Sequence, residues 1–356
     1  MGEVLRTGDF SGAAIVGPLD PTARVAVVPP LPVADLSIPT IAALPDGTTR
    51  PFWSVMIPIY NCPEDYLRET LESVLCQDPG AEEMQIEVVD NCSTTGDPEA
   101  LVRELGGGRV RFYRQPANLG IVENFNTCIR RAQGHWVHIL HGDDTVRPGF
   151  YARARQGIAA NPDVGAALCR IIYTNEHSQW TGITDAEART PGVLGEDFAA
   201  RQMVDQLIQF VAFAVHRSTY EELGGFRASL AHCLDWDMWK RIALHKRIFY
   251  EPEPLACYRL HAAADSSRLM RTGENVADER RSIDISCASL PPDQGRRIRY
   301  AARKAAAVRA LRRAQRLWRN GDRATAWRQL TEALRCSRAL PVLARTAYFF
   351  VRVVLR

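Results

Sequence analysis

The segment HILHGDD (138–144) ends an apolar run with two adjacent carboxylates, Asp143 and Asp144. Two carboxylates at the end of a buried strand suit a divalent cation with phosphate attached, because hard cations take carboxylate and phosphate oxygens and keep open positions for substrate. An isolated pair of aspartates is more often a solvated turn, since turns favour aspartate. The pair therefore becomes a metal candidate only if other parts of the chain supply a matching site.

Short apolar runs alternate with helical segments from Trp53 onward. Apolar, branched residues predict strands over 54–60, 86–90, 110–114 and 136–140. An apolar stripe from Ile121 to Ala132 predicts a helix between the last two strands. Strands that alternate with helices at this spacing are parallel strands joined by right-handed crossovers. The predicted fold class is α/β, with a Rossmann-like mixed or parallel sheet flanked by helices.

Three of these predicted strands are followed directly by polar residues. The first runs into Tyr60 and Asn61, the second into the segment from Asp90 to Ser93, and the fourth into 141–144. Open α/β sheets bind their ligands beyond the carboxyl ends of the strands. Three polar endings at one edge therefore predict a ligand site there.

Composition divides the chain into three parts. Residues 1–50 hold seven prolines without a sustained period and are predicted to be an extended or partly disordered arm. Residues 51–290 are the predicted α/β domain, and residues 291–356 a basic helical module. From Arg296 onward the chain holds seventeen lysines and arginines and two acids, which is a net charge of +15. Because the overall net charge is +3, residues 1–295 carry −12.

The basic tail has three interpretations that the sequence leaves open: docking of a partner protein or formation of homo-oligomers, packing on the acidic body, or contact with an anionic membrane surface. Nucleic acid is the least favoured partner, because no reading motif accompanies the basic charge. Nine cysteines without a C-x-x-C pair indicate reduced thiols and a cytoplasmic location, with a peripheral position at the inner face of the membrane as the alternative. The high arginine and alanine content favours a bacterial source.

Six segments of the chain occur in a characteristic order. They are VMIPIYN (55–61), VVDNCST (88–94), NLGIVENFNTCIRRAQGHWVHILHGDD (118–144), GGF (224–226), LDWDMWKRIA (234–243) and YRLHAAADSS (258–267). Together they resemble the family 2 glycosyltransferases, over about residues 53–267. The resemblance implies a GT-A fold for the sheet domain, to which the C-terminal α-helical module is added. It also implies inverting transfer of a sugar from a nucleotide-diphosphate sugar to an acceptor hydroxyl.

The resemblance implies roles for individual residues. It implies Asp144 as the direct metal ligand, His261 closing over the metal or diphosphate, and Asp235 as the general base. Nucleotide and donor-sugar contacts are implied at Pro58, Tyr60, Asn61, Asp90, Asn118, Asn124, Asn126 and Asp143. The implied cofactor is Mn²⁺ or Mg²⁺, and the donor carries UDP, dTDP or GDP. A carbohydrate, lipid-linked or small-molecule acceptor is expected, in polysaccharide, glycolipid or secondary-metabolite glycosylation.

The chain departs from the family pattern at two positions. His141 stands where many relatives have an acid, and imidazole binds divalent transition metals but is a poor ligand for magnesium, so a preference for manganese becomes an open alternative. Leu234 stands where relatives commonly have glutamate before the base. These departures keep open a catalytically silent relative that acts as a scaffold through its helical tail. A sugar nucleotidyltransferase is a further alternative, although the acidic YNCPEDYL lacks the Gly-rich basic segment it would need.

The segment DWDMW (235–239) predicts a division between two acids. On a helix Asp235 and Trp239 share a face at i, i+4, whereas Asp237 points elsewhere. Trp236 or Trp239 could stack on a sugar ring, or both could pack in the core, and the sequence does not decide between these readings.

Overall fold

The computed structural model describes residues 38–261 and 265–351, without the side chains of 265–268. The predictions for residues 1–37 and 352–356 lie outside this range. The described strands are β1 (Trp53–Ile59), β2 (Met84–Asp90), β3 (Arg111–Arg114), β4 (Trp136–Ile139), β5 (Thr145–Val146), β6 (Val164–Thr174), β7 (Trp180–Ile183), β8 (Gly192–Val193), β9 (Phe213–His216) and β10 (Arg247–Arg259). The helices are α1 (Glu64–Leu75), α2 (Pro98–Gly106), α3 (Ile121–Arg131), α4 (Phe150–Ala160), α5 (Asp197–Val204), α6 (Arg217–Leu223), α7 (Leu234–His245), α8 (Asp265–Thr272), α9 (Glu274–Ala288), α10 (Pro292–Arg319), α11 (Arg323–Cys336) and α12 (Leu340–Phe349).

The strands form one sheet in the order β3-β2-β1-β4-β9-β6-β10-β5, with β7 beside β6 and β8 beside β10. The first four strands along the chain pair in parallel, as their alternation with helices predicts. Strands β1 and β2 are buried along their whole length, which explains why apolar residues predominate in both. β9 runs antiparallel to both β4 and β6, so the sheet is mixed. The predicted α/β fold class is confirmed.

The second half of the sheet brings distant residues to the edge where β4 ends. β10 pairs in parallel with β6, which places Tyr258 opposite Tyr173. β5 follows the two adjacent aspartates and pairs antiparallel with β10, with Thr145 opposite Cys257. The end of β10 and the segment HGDD are consequently neighbours in space, although more than a hundred residues separate them in the chain.

Residues 38–50 form neither a helix nor a strand and lie against the body. Ile41 is buried in the main core. The Arg217 guanidinium donates to the carbonyl oxygen of Ala42 at 3.2 Å, and the amide of Gly225 donates to the carbonyl oxygen of Pro39 at 2.8 Å. This part of the predicted arm is thus held by both apolar burial and hydrogen bonds.

The C-terminal helices have a hydrophobic cluster of their own, which is joined by Met203 from α5 and Trp236 from α7. As the segment NGD predicts, α10 ends before Asn320 and Asp322 caps α11 by accepting from the amide of Thr325. The cluster also contains three residues of α9, which precedes the predicted boundary at 291: Val276, Ile283 and Cys287. Packing groups α9 with the helices that follow it, and the domain boundary itself stays a prediction.

Two further observations concern the chemistry of the chain as a whole. All nine cysteines are free thiols, six of them buried. Within residues 38–261 and 265–351, no helix is long and apolar enough to cross a membrane.

Candidate functional site

Three metal-type side chains meet where β4 ends. Ligand atoms of His141, Asp143 and Asp144 all lie within 4.8 Å of one another. The Oδ2 atom of Asp144 and the Nε2 atom of His141 are buried and have no hydrogen-bond partner in the described structure. A buried polar atom without a partner costs about 1–3 kcal/mol, so two such atoms in one cluster call for a ligand. One imidazole and two carboxylates fit a divalent cation.

Hydrogen bonds from two elements, β10 and α1, fix the Asp144 backbone and carboxylate. The amide of Arg259 donates to Asp144 Oδ1 at 2.9 Å, and the Thr70 hydroxyl of α1 donates to the Asp144 carbonyl oxygen at 2.7 Å. The Arg259 guanidinium donates to the Asp143 carbonyl oxygen at 2.8 Å and to Glu69 at 2.6 Å. With Oδ1 occupied, only Oδ2 of Asp144 is left to bind a ligand.

The local electrostatics also favour a cation. Burial raises the pKa of Asp144 well above its ordinary value, and the charge of Asp143 raises it further. Burial acts to raise the pKa of Asp143, but the hydrogen bond from His261 acts in the opposite direction, and the pKa lies below its ordinary value. Burial lowers the pKa of His141, which keeps the imidazole neutral and able to donate its lone pair. A bound cation would offset the cost of ionising Asp144 in this interior position.

His261 belongs to the same edge, but its contact is with a carboxylate. Its Nε2 atom lies 2.8 Å from Asp143 Oδ2, and its ring packs edge-on against Tyr66 with ring centroids 5.3 Å apart. His141, by contrast, stacks on Phe125 with ring centroids 5.1 Å apart. The described geometry therefore groups His141 with the two aspartates as a ligand set, and gives His261 the position of a residue that orients Asp143.

Asp235 is the first acid of α7 and is partly exposed. Its Oδ1 accepts from the amide of Trp236 at 2.7 Å, and its Oδ2 accepts from the Gln206 side chain at 2.5 Å. Burial raises its pKa to about 6, although both hydrogen bonds act in the opposite direction. A carboxylate with this pKa is ionised near neutral pH and takes up a proton more readily than an ordinary aspartate.

Tyr258, on β10, links Asp235 to the metal-type cluster. Burial raises the pKa of the Tyr258 phenol well above its ordinary value, and the charges of Asp144, Asp143 and Asp235 raise it further, in that order. The charges of all three aspartates thus act on the same phenol.

Asp237 lies on the other side of α7, as the helical spacing predicts. It is 1% exposed and pairs with Arg227 at 3.4 Å and with Arg241 at 3.1 Å. Arg241 also donates to the carbonyl oxygens of Leu223 and Gly225 at 2.7 and 2.8 Å. Asp237 is thus a counter-charge inside the protein.

Both tryptophans of DWDMW are buried. Trp236 donates from Nε1 to the carbonyl oxygen of Gln202 at 2.7 Å and lies under Lys240, whose ammonium is 4.2 Å from the ring centroid. Trp239 packs edge-on against Phe213 with ring centroids 4.6 Å apart. The sugar-stacking reading of these residues is wrong, because neither ring faces the surface.

The ends of β1 and β2 are joined by hydrogen bonds around Asn61. The Asn61 backbone has a φ of 47°, a left-handed conformation that asparagine tolerates well. Its amide donates to the Ser93 hydroxyl at 2.8 Å, and its Oδ1 accepts from the Thr94 amide at 2.8 Å. Tyr60 beside it is 46% exposed, whereas Pro58 is buried within β1. Tyr60 and Asn61 thus line the edge, and Pro58 supports it from inside.

Asp90, at the end of β2, has both carboxylate oxygens engaged. Oδ1 accepts from the amide and hydroxyl of Ser93 at 3.0 and 2.5 Å, and Oδ2 accepts from Arg114 Nε at 2.7 Å. The Asp90 side chain is fully buried, whereas that of Arg114 is 42% exposed. A ligand that reaches Asp90 must share it with Arg114.

The three predicted asparagines divide into one exposed and two internal residues. Asn118 is exposed, and its Oδ1 accepts from the side chain of Asn91 at 2.9 Å. Asn124 is buried and accepts from the Gln115 side chain at 2.8 Å. Asn126 is buried and makes a two-way hydrogen bond with the backbone of Phe226, at 3.0 and 2.7 Å. Asn118 lies at the surface, while Asn124 and Asn126 fix the loops around it.

Sequence reasoning missed the residues that support Asp235 from a distance. Gln206 lies 29 residues upstream of Asp235, in a segment without a recognisable motif. The backbone amide of Gln206 donates to Asp205 Oδ1 at 3.0 Å, and the same oxygen accepts from Arg309 of α10 at 2.5 Å. The basic tail is therefore connected to the site through three residues. Its net positive charge was the one signal available, and it did not identify a partner.

Comparisons with known proteins agree with this geometry. The sequence profile described as Glycosyl transferase family 2 matches residues 54–223, which include the cluster after β4 and end before Asp235. The succinoglycan biosynthesis protein ExoO of Rhizobium meliloti is 34% identical over 130 residues, which are 36% of this chain and 34% of that protein. The chain thus spans about a third of the length of that relative.

Two solved structures have the same fold. One is the S. aureus TarS fragment 1–349 in complex with UDP-GlcNAc, with a TM-score of 0.52 and 15% identity, over 80% of this chain and 91% of that one. The other is the mannosyltransferase PcManGT of Pyrobaculum calidifontis with GDP-Man and Mn²⁺, with a TM-score of 0.51 and 21% identity, over 87% and 83%. The profile match and the shared GT-A fold identify the chain as a glycosyltransferase whose residues 54–223 match family 2.

Proposed function

We propose that this glycosyltransferase moves a sugar from a nucleotide-diphosphate sugar to an acceptor hydroxyl with inversion at the anomeric carbon. The observation that carries the proposal is the cluster of His141, Asp143 and Asp144 after β4, together with Asp235, a carboxylate with a raised pKa. Sugar transfer needs both parts, because the acceptor must lose a proton while the diphosphate leaving group gains negative charge.

Asp235 removes the proton from the acceptor hydroxyl. Its pKa of about 6 keeps it ionised near neutral pH and raises its proton affinity. The side-chain amide of Gln206 and the backbone amide of Trp236 donate to the carboxylate and hold it in one orientation. Because Asp237 is engaged by two arginines inside the protein, it does not supply a second carboxylate for a covalent intermediate. A single displacement by the acceptor, with inversion, follows from one available base.

His141 and Asp144 would hold the divalent cation, with Asp143 beside them and oriented by His261. A divalent cation in this position supplies Lewis-acid neutralisation of the charge that develops on the diphosphate. An imidazole nitrogen in the ligand set favours Mn²⁺ over Mg²⁺, because magnesium prefers oxygen ligands.

The nucleotide lies over the ends of β1 and β2 in this proposal. Tyr60, Asn61 and Asn118 are available there on the surface, and Arg114 beside Asp90 can contact an anionic or hydrogen-bonding group. The neighbouring structures hold UDP-GlcNAc and GDP-Man, which supports a nucleotide sugar as the donor class and leaves UDP, dTDP and GDP as candidates. The relative in succinoglycan biosynthesis supports a carbohydrate or lipid-linked acceptor and a role in polysaccharide or glycolipid synthesis.

The proposal is tested by thermal unfolding with UDP, dTDP and GDP, each with Mn²⁺, with Mg²⁺ or with neither. A ligand at a hundred times its dissociation constant stabilises the folded state by about 2.7 kcal/mol. We expect one diphosphate to stabilise the wild type with Mn²⁺ more than with Mg²⁺, and Asp144→Asn to lose the metal-dependent part. Asp293→Asn is the matched control, because its carboxylate is 88% exposed at the start of α10.

The outcomes separate the alternatives. If no diphosphate stabilises the chain with either metal, the proposal fails and a scaffold role through the helical tail takes its place. If the chain consumes a nucleoside triphosphate together with a sugar phosphate, and consumes no nucleotide-diphosphate sugar, it is a nucleotidyltransferase.

A further inference from the structure

The arginines of the C-terminal helices fall into an inner and an outer set. The inner set is paired with acids of the body and of α9: Arg309 with Asp205 and Glu279, Arg313 with Glu279, and Arg303 with Asp284. These pairs account for part of the basic charge by docking within the chain. Among the acids that the structure describes, none forms an ion pair with the exposed Arg319, Arg323, Arg338 or Arg345 of the outer set.

Helix α12 divides into a buried and an exposed face in a way that is unusual for a surface helix. Its buried side consists of Val342, Thr346 and Phe349, one helical turn apart. Its opposite side is exposed and almost wholly apolar: Leu340, Leu343, Ala344, Ala347, Tyr348 and, just past its end, Val351. Leu340 is 83% exposed and Val351 62%. A surface helix ordinarily presents polar residues to water on this side.

Aromatic and cationic residues border this face. Trp327 of α11 is 52% exposed and contacts Phe350 edge-on at 6.0 Å between ring centroids. Arg323 lies over Trp318, with its guanidinium carbon 5.3 Å from the ring centroid, and Trp318 contacts Phe349. Arg338 precedes the helix, and Arg345 lies on its flank. The border thus carries tryptophan and arginine, and the centre carries aliphatic side chains.

We propose that this outer face of α11 and α12 binds an anionic membrane surface, with α12 lying in the plane of the interface. Aliphatic side chains at the centre, tryptophan and tyrosine at the level of the headgroups and arginine around them are what an interfacial helix requires. Anionic lipid headgroups supply the counter-charges for the outer arginines.

Charge decides between a membrane and a second copy of the chain as the occupant. A two-fold contact would bring the arginine-bordered faces of two copies together, and the like charges of Arg338 and Arg345 on both copies would repel. A contact of this face with the acidic body of another copy is heterologous and does not close into a dimer. A membrane satisfies the apolar centre and the arginines together, and it would bring the donor site to lipid-linked acceptors.

The test is sedimentation of the full chain with vesicles of phosphatidylcholine alone, or with about 30% phosphatidylglycerol, at low and high salt. Binding is expected only to the anionic vesicles and is expected to weaken with salt. Since each arginine near the surface contributes about 1 kcal/mol, Arg338→Gln and Arg345→Gln should each weaken binding roughly fivefold. Leu340→Asp with Leu343→Asp should abolish it, and both positions are exposed enough to tolerate the change.

Arg297→Gln is the matched control, since Arg297 is also exposed but lies near the other end of α10. It should bind as the wild type does. Thermal stabilisation by a nucleoside diphosphate with Mn²⁺, measured on the same samples, keeps failure of the membrane proposal separate from failure of the donor proposal. Equal binding to neutral vesicles, no binding to anionic ones, or concentration-dependent association that Leu343→Asp removes would each overturn the membrane proposal.

Discussion

Two faces of helix α7 give opposite surroundings to two aspartates that are two residues apart. Asp237 lies inside the protein between the guanidinium groups of Arg227 and Arg241. Asp235 is partly exposed, and the donors that contact its oxygens are neutral, namely the Trp236 amide and the Gln206 side chain. Neutral donors orient the carboxylate without cancelling its charge, so burial can raise its pKa to about 6.

The difference follows from helix geometry together with the position of α7 in the fold. Residues two apart on a helix point about 200° from each other, so one side chain must turn to the core when the other turns to the site. The interior side of α7 holds fixed cations, and the site side holds the base. One residue type therefore has a chemical role on one face and a stabilising role on the other.

The largest expected effect is on transfer by Asp235→Asn. The amide cannot accept the acceptor proton, and loss of a general base typically costs about 10²–10⁴ in rate. We expect kcat to fall in that range, while stabilisation by nucleoside diphosphate with Mn²⁺ stays as in the wild type. Measured transfer above one tenth of the wild-type rate would show that another group is the base.

Asp237→Asn should give the opposite result, a loss of stability with the chemistry retained. It removes a counter-charge between two buried arginines, and breaking a buried ion pair from one side costs about 3–5 kcal/mol. Denaturant unfolding measures this directly, with Asp235→Asn as the matched variant on the same helix. An Asp237→Asn protein as stable as the wild type would mean that the arginines are held by their carbonyl contacts alone.

The sequence predicts this contrast only in part. The i, i+4 spacing places Asp235 and Asp237 on different faces, because that relation is local to the helix. It does not reveal the partners, since Arg227 and Gln206 come from segments brought to α7 by the tertiary fold. It does not reveal that Asn124 and Asn126 are internal either. A motif identifies the residues near a ligand without separating those that contact it from those that hold the loops.

The same distinction between local and distant contacts applies to the sheet. Strands β1 to β4 are predictable because each is followed by its own helix or loop and pairs with a neighbour in the parallel arrangement. β6, β9 and β10 depend on pairings between distant segments, and β10 contains prolines that disguise it. The orientation of Asp144 in the metal-type cluster depends on that part of the fold, because the amide of Arg259 on β10 donates to its Oδ1.

The pH dependence of transfer sharpens the contrast between the aspartates. The folded pKa of Asp235 is raised from 3.8 to about 6, so the rate should rise with pH through about 6 and then level off as the base ionises. The contribution of Asp235 to the free energy of unfolding changes with pH in the opposite direction. The protonated form is favoured in the folded state, so this contribution is complete below 3.8 and is lost as pH rises through about 6. The pH profile of the rate tests the first statement. Thermal unfolding of the wild type and of Asp235→Asn, which lacks this titration, tests the second. A rate that is flat from pH 5 to 8 contradicts the assignment of Asp235 as the base.

The smallest expected effect comes from the hydrogen bond that orients the base. Gln206→Leu removes the donor to Asp235 Oδ2, and because that bond lowers the pKa of Asp235, its loss should move the midpoint of the rate profile upward. Arg309→Gln removes the ion pair that holds Asp205, whose Oδ1 accepts from the backbone amide of Gln206. It should shift the midpoint in the same direction, but by less. Arg297→Gln, at the start of the same helix, should leave it unchanged. A lower rate without a shifted midpoint would mean that Gln206 only shapes the loop, whereas a shift in both variants would make the basic helices part of the machinery that tunes the base.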